Sequence, residues 1–456
     1  MVILTGTIRL EKRLKLYDNR TVADRFIISG GKPLDGEVEV RGSKNAATKM
    51  MIASLLTEKP CVIENVPFSQ ETDITKELCE NIGSAVVFDK NHSCSIVTPK
   101  IKTSVVPQLS RRNRIPILAL GPLLHRRGFA EVPVLGGCPI GHRPISFHIE
   151  ALNKMGVRIE RRETSYYAET DRIRGAEIEF PFPSVGATEN VLLAAVLAEG
   201  KTLIRNAALE PEIMNLIDML GAMGAKISVN PEERIVEIEG VAKLRGATVR
   251  VIPDRNEVVS FVAAALATEG SVFVRGAVGE HIKAFLGKLD ELGALYEIKD
   301  GGIVFSGKKP YRSVVVETSP HPGFMTDWQQ PFCVLLTQAK GESIIHETVY
   351  EDRFDYTKDL KQMGAEIEIS DECLGGEKCR FSGQTFNHSA RIWGPAKLSG
   401  KEITMTDIRA GMAHIIAALV AGGESIISGT EHIDRGYEDL DGRLRILGAN
   451  IKRVAA

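Results

Sequence analysis

The stretch DMLGAMGAKISV, residues 218–229, reads as the end of an amphipathic helix, a turn at Met223-Gly224 and the opening of a short strand. Glycine suits that turn because it takes the left-handed conformation that closes a helix, which other side chains resist. The same phrase recurs as ELCENIGSAVVF (77–88), EALNKMGVRIER (150–161), GKLDELGALYEI (287–298), KDLKQMGAEIEI (358–369) and GRLRILGANIKR (442–453). Its glycines, at 83, 156, 224, 293, 364 and 448, fall roughly 70 residues apart, with the last interval the longest; a near-fixed period marks repeated supersecondary units. Upstream of the phrase stand Ala- and Leu-rich runs such as ATENVLLAAVLAEGKTLI, too apolar for a surface helix. Each unit is therefore expected to run strand, buried helix, strand, surface helix, strand, strand. Six units of this α/β kind form two domains of three if each domain closes around its buried helices.

Bulk properties agree. With 456 residues the chain exceeds what one core usually serves, and 43% apolar with 25% charged residues is the composition of a folded globular protein. No apolar run reaches the roughly 18 residues of a membrane span. The 57 basic and 59 acidic residues leave no footprint for nucleic acid, and no basic stripe with interleaved aromatics is present. The N-terminal stretch has charges throughout and no signal-peptide core, so a cytoplasmic location is expected. Seven cysteines, an odd number, fit free thiols better than a disulfide framework. Cys373 and Cys379 lie close in ECLGGEKC, but without a histidine near them in the sequence the pair is read as structural or incidental, and no metal is expected. Residues 1–25 are expected to form a loose extension or an edge strand.

Each unit offers two strand-to-helix junctions, where helix N-termini present backbone N–H groups and partial positive charge. Asp73, Glu210, Asp254 and Ser184 stand at such starts and read most simply as N-caps or first-turn residues. Lys44, Arg114, Arg143, Arg409 and Arg435 are different, because a cation there opposes the helix macrodipole. Five together point to a multiply charged anion. Asp327 or Asp407 beside such cations would serve as a general base for a hydroxyl. Cys138, in the glycine-flanked loop VLGGCPIGHRP (134–144), has Arg143 and His142 nearby to lower its pKa, so it is a candidate acid or nucleophile. The constellation fits transfer between an alcohol and a polyanion.

GSKNAA (42–47), GGCPIGHRP (136–144), PSVGATEN (183–190), HPGFMTDWQQPF (321–332) and EHIDRGYEDL (431–440) together resemble the UDP-N-acetylglucosamine 1-carboxyvinyltransferases, from about Arg25 to the C-terminus. The resemblance implies a two-domain inside-out α/β barrel of six βαβαββ repeats, three per domain, with an active-site cleft between domains. One domain would be residues 44–251, the other 1–43 with 252–456. It implies transfer of the enolpyruvyl group of phosphoenolpyruvate to the 3-hydroxyl of UDP-N-acetylglucosamine, the first committed step of peptidoglycan synthesis, with no cofactor. Lys44, Arg143 and Arg435 would bind phosphoenolpyruvate, with Arg114 and Arg409 close by. Asp327 would take the hydroxyl proton, Asn45 would contact substrate beside it, and Asp407 would act near the reacting double bond. Arg143, Pro144, Ile145, Ser146 and Phe147, with Ser184, Val185 and Val349, would hold nucleotide and sugar. Cys138 would be the reactive cysteine and the target of fosfomycin. Where the family usually carries an acidic residue two positions after Pro144, this chain has Ser146 followed by Phe147. The alternatives are a transferase acting on shikimate 3-phosphate and a non-catalytic paralogue that binds a nucleotide sugar.

Overall fold

The computed structural model describes residues 24–106, 108–110, 113–136, 145–351, 353–376 and 379–455. The chain divides into two α/β units. One holds described residues 24–40 and 255–455; the other holds 41–136 and 145–254.

In the unit of residues 41–136 and 145–254, three sheets carry the orders Thr248–Arg250, Cys61–Glu64, Cys94–Val97, Ala85–Phe88; Lys226–Asn230, Ile235–Glu239, Lys201–Arg205, Glu177–Glu179; and Phe129–Pro133, Ser165–Glu169, Arg158–Arg161. In the second, the parallel pair Glu177–Glu179 and Lys201–Arg205 is joined through helix Val185–Ala195 and followed by antiparallel neighbours, a helical crossover before a hairpin; in the first, Thr248–Arg250 returns from the end of the unit to run parallel to Cys61–Glu64, whose other neighbours are antiparallel. Helix Lys44–Ala53 is buried from Ala46 on except at Lys49, and Val185–Ala195 is buried from Ala187 on, Thr188, Glu189 and Asn190 included, while Gln70–Ile82 is amphipathic.

The other unit repeats the plan with sheets centred on Ser271–Arg275, Ala339–His346 and Glu424–Ser428. Every residue of helices Arg255–Ala267 and Gln329–Leu336 is buried. Arg25–Ser29 lies between Glu424–Ser428 and Asn450–Val454, so Arg25 opens an inner strand rather than an extension or an edge. Residues 1–23 lie outside the described part.

Among the described residues no sheet closes on itself. Each has three to five strands and two free edges, so none of them forms the closed barrel that was expected. All six repeat glycines have positive φ, from 82° at Gly293 to 124° at Gly83, so the turn that ends each surface helix needs the residue found there. No described helix is long and apolar enough to cross a membrane.

Candidate functional site

In the unit of residues 255–455, the chain places Asp327 in a single 3-10 turn, Thr326–Trp328, which feeds the buried helix Gln329–Leu336. Its carboxylate accepts from Arg353 Nη2 at 2.8 Å through Oδ1 and from Arg409 Nε at 3.1 Å through Oδ2. Burial pushes the carboxyl up, but the guanidinium charges of Arg409 and Arg353 outweigh it and hold Asp327 well below the usual carboxylate range. The arginine side chains are 8% and 3% exposed, Asp327 19%, so the pair is sunk while the carboxylate still meets solvent.

Two neighbours fix these groups. Arg409 Nη1 donates to the Tyr437 hydroxyl at 2.8 Å, which lies 2.7 Å from Ser260 Oγ. Fully buried Glu347 accepts from Thr326 Oγ1 at 2.8 Å and from the Val349 N–H at 2.8 Å, so one carboxylate ties the Asp327 turn to the Val349 turn. Thr326 Oγ1 in turn accepts from Arg353 Nη1 at 3.1 Å. Asp407 caps helix Ile408–Val420, its Oδ1 accepting from the N–H groups of Arg409 at 2.8 Å and Ala410 at 3.1 Å. Arg435 departs from expectation. It stands at the C-terminal end of the short helix Glu431–Asp434, where a cation suits the dipole, rather than at a helix start.

In the unit of residues 41–136 and 145–254, Lys44 and Asn45 open helix Lys44–Ala53, both half-buried. The preceding Ser43 makes no side-chain cap, and its buried Oγ has no hydrogen-bond partner among the described residues. Ser184 does cap its helix, Oγ accepting from the Ala187 N–H at 3.4 Å. Ile145 precedes helix Ser146–Lys154, on which Phe147 packs against Phe180 with centroids 6.2 Å apart. His148, next on that helix, faces Gly186, where a Cβ would come within 3.2 Å of the imidazole. Its Nδ1 accepts from Asn190 Nδ2 at 3.2 Å. Burial, with the charge of Arg114 added, pushes His148 down to about 3, so the ring is neutral. Arg114 starts a 3-10 helix, Ile115–Ala119, with Pro116 in its first turn, rather than opening the α-helix directly. Lys49 and Glu189 pair at 3.8 Å between the helices that carry Lys44 and Val185.

Asp327, Arg409 and, through Glu347, Val349 are thus brought together in one unit, and Arg114, Ser146, Phe147, Ser184 and Val185 gather around His148 in the other. Cys138, Arg143 and Pro144 lie outside the described residues. Arg353, ahead of helix Thr357–Met363, gives no sign in the sequence that it meets Asp327, and Tyr437 and Glu347 carried no signal.

The family model for EPSP synthase (3-phosphoshikimate 1-carboxyvinyltransferase) matches residues 28–444. A UDP-N-acetylglucosamine 1-carboxyvinyltransferase from Protochlamydia amoebophila is 48% identical over 440 residues, covering 94% of each chain. UDP-N-acetylglucosamine 1-carboxyvinyltransferase 1 from Carboxydothermus hydrogenoformans is 39% identical over 94% of this chain and 98% of its own length. Among solved structures, the enolpyruvyl transferase NikO from Streptomyces tendae superposes with a TM-score of 0.84 at 22% identity, covering 95% of this chain and 99% of NikO. EPSP synthase from Acinetobacter baumannii gives 0.70 at 19% identity, covering 94% of this chain and all of its own.

Proposed function

We propose a residue-level account of enolpyruvyl transfer, from the premise that the chain belongs to the EPSP synthase (3-phosphoshikimate 1-carboxyvinyltransferase) family and, within it, to the UDP-N-acetylglucosamine 1-carboxyvinyltransferases. The reaction moves the enolpyruvyl group of phosphoenolpyruvate to the 3-hydroxyl of UDP-N-acetylglucosamine and releases phosphate.

The observation that carries the residue assignment is Asp327 held between Arg353 and Arg409. A carboxylate so paired is a weak base. An anion arriving at Arg409 competes for the guanidinium and returns a lone pair to Asp327, so in this account phosphoenolpyruvate itself makes the base competent. Asp327 then takes the 3-hydroxyl proton as that oxygen bonds to C2 of phosphoenolpyruvate, and C3 receives a proton from the Cys138 thiol. The tetrahedral intermediate loses a proton from C3 and expels phosphate, which restores the double bond. Lys44, Arg143 and Arg435, with Arg114, hold the phosphate and carboxylate; guanidinium forks match both. Asp407, whose cap uses Oδ1, serves the second proton transfer. Asn45, Pro144, Ile145, Ser146, Phe147, Ser184, Val185 and Val349 hold sugar and nucleotide. Three sheets in each unit support one βαβαββ unit copied six times. Free thiols at Cys61, Cys79, Cys94 and Cys333 support a reducing, cytoplasmic setting.

The test is phosphate release from phosphoenolpyruvate with UDP-N-acetylglucosamine or shikimate 3-phosphate as acceptor. Release is expected with the first alone, and Asp327→Asn should lower kcat by about 100-fold or more. An Asp327→Asn enzyme at full rate would remove Asp327 from the base role while leaving the reaction assignment standing.

A further inference from the structure

The connection between strands Glu366–Ser370 and Ser389–Gly394 runs through residues 371–388, whereas the corresponding connections elsewhere take only 231–234 and 300–301. It accounts for the long last interval of the glycine repeat. A connection of this length, with no strand or helix among its described residues, needs something to hold it.

Four side chains meet there. His346 ends strand Ala339–His346, His388 precedes the strand paired with it, and Cys373 and Cys379 come from the connection; their ligand atoms all lie within 4.8 Å of one another. Both histidines are fully buried. Ser389 Oγ donates to the Glu372 carbonyl and so accepts from His346 Nδ1–H at 2.9 Å, which leaves the lone pair on His346 Nε2. That nitrogen is buried and has no hydrogen-bond partner among the described residues. His388 Nδ1 donates to the Phe386 carbonyl at 2.6 Å, turning its Nε2 lone pair to the Cys373 sulfur 3.4 Å away. Cys379 Sγ accepts from the Phe381 N–H at 3.3 Å. Gly375 packs so closely on His346 that a Cβ would fall 2.3 Å from its ring.

We propose that His346, Cys373, Cys379 and His388 form a structural zinc site that staples this connection to the sheet. Two imidazoles anchored through Nδ1 and two sulfurs are the donor set of a closed tetrahedral site, with ligand–ligand spacings that a slight contraction brings to zinc distances. Zinc binding forms two Zn–S and two Zn–N bonds and releases two thiol protons to solvent, with no change of oxidation state. Two thiolates and two neutral imidazoles cancel the charge of the ion, which suits a buried position. The spacing of Cys373 and Cys379 alone did not show this, because one histidine comes from the neighbouring strand and the other from the far end of the connection.

The full chain, purified reduced from zinc-supplemented medium, should hold about one zinc by elemental mass spectrometry, and the cobalt-substituted protein should show thiolate-to-metal charge transfer. Cys373→Ser, at an exposed position, should lose the metal and lower the melting temperature while phosphate release at room temperature persists. His388→Ala should do the same. Chelator-treated wild type should regain its melting temperature with zinc and not with magnesium. Wild type that takes up no zinc at micromolar concentration would overturn the site. So would zinc retained by Cys373→Ser with Cys379→Ser, or a Cys373–Cys379 disulfide in unreduced peptide maps.

Discussion

Arg409 shows what one residue can and cannot disclose. Its place two residues after Asp407, at the start of an apolar helix, made it a candidate from sequence, because a cation there works against the dipole. Its seat was not legible, since nothing marks Tyr437 in EHIDRGYEDL as the group that receives it. The Tyr437 hydroxyl accepts from Arg409 and sits 2.7 Å from the buried Ser260 hydroxyl, so it sets the angle at which Arg409 meets Asp327. Tyr437→Phe should cost about 1–3 kcal/mol, because Ser260 and Arg409 both lose their bond to the Tyr437 hydroxyl. It should also raise KM for phosphoenolpyruvate more than it lowers kcat. Steady-state phosphate release with denaturation of the same preparation checks both; an unchanged KM would mean that Arg409 needs no seat.

Among the elements, the buried helices were readable because their C-terminal halves are almost wholly apolar, and the glycine turns were readable from their period. The 3-10 segments Ile115–Ala119 and Thr326–Trp328 were not, since hydrophobic spacing does not separate one tight turn from the start of an α-helix. Nor was the charge inside an apolar helix. Glu189 on Val185–Ala195 is 2% exposed; burial raises its pKa to about 7 against the opposing pull of Lys49, with Glu210 and Glu212 adding to the rise. A carboxyl raised on folding favours the native state fully below its unfolded value near 4.5, and that advantage is lost as pH rises through about 7. Wild type should therefore lose up to about 3 kcal/mol between pH 4.5 and pH 8 relative to Glu189→Gln, which stays neutral throughout. Urea unfolding of both proteins across that range measures the difference. Parallel pH profiles would show that Glu189 is already ionised at pH 5.

For the molecule as a whole, the discontinuous make-up of one unit came from family resemblance and not from the repeat, because a period says nothing of which copies join. The reason lies in pairings between distant segments. Gly36–Glu39 runs parallel to Ser271–Arg275, and Arg25–Ser29 is sandwiched by strands from the far end of the chain. Arg443 helps hold this assembly. It grips Glu257 with two bonds of 2.7 and 2.6 Å, lies over the Phe261 ring at 5.0 Å, and reaches the Glu39 carbonyl at 3.4 Å. Arg443, on helix Leu440–Ile446, thus joins strand Gly36–Glu39 to helix Arg255–Ala267. Both partners are nearly excluded from solvent, at 7% and 3%, so neither tolerates losing the other. Arg443→Ala should destabilise this unit by about 3–5 kcal/mol by taking the two-bond cationic partner from buried Glu257, while Arg443→Met combined with Glu257→Met should cost clearly less, because the buried charge goes with its partner. Both tryptophans, Trp328 and Trp393, lie in this unit, so their fluorescence follows its unfolding directly. Equal losses in the single and double variants would mean that the bonds to Glu39 and the packing on Phe261, rather than the charge pair, bind the two ends of the chain into one core.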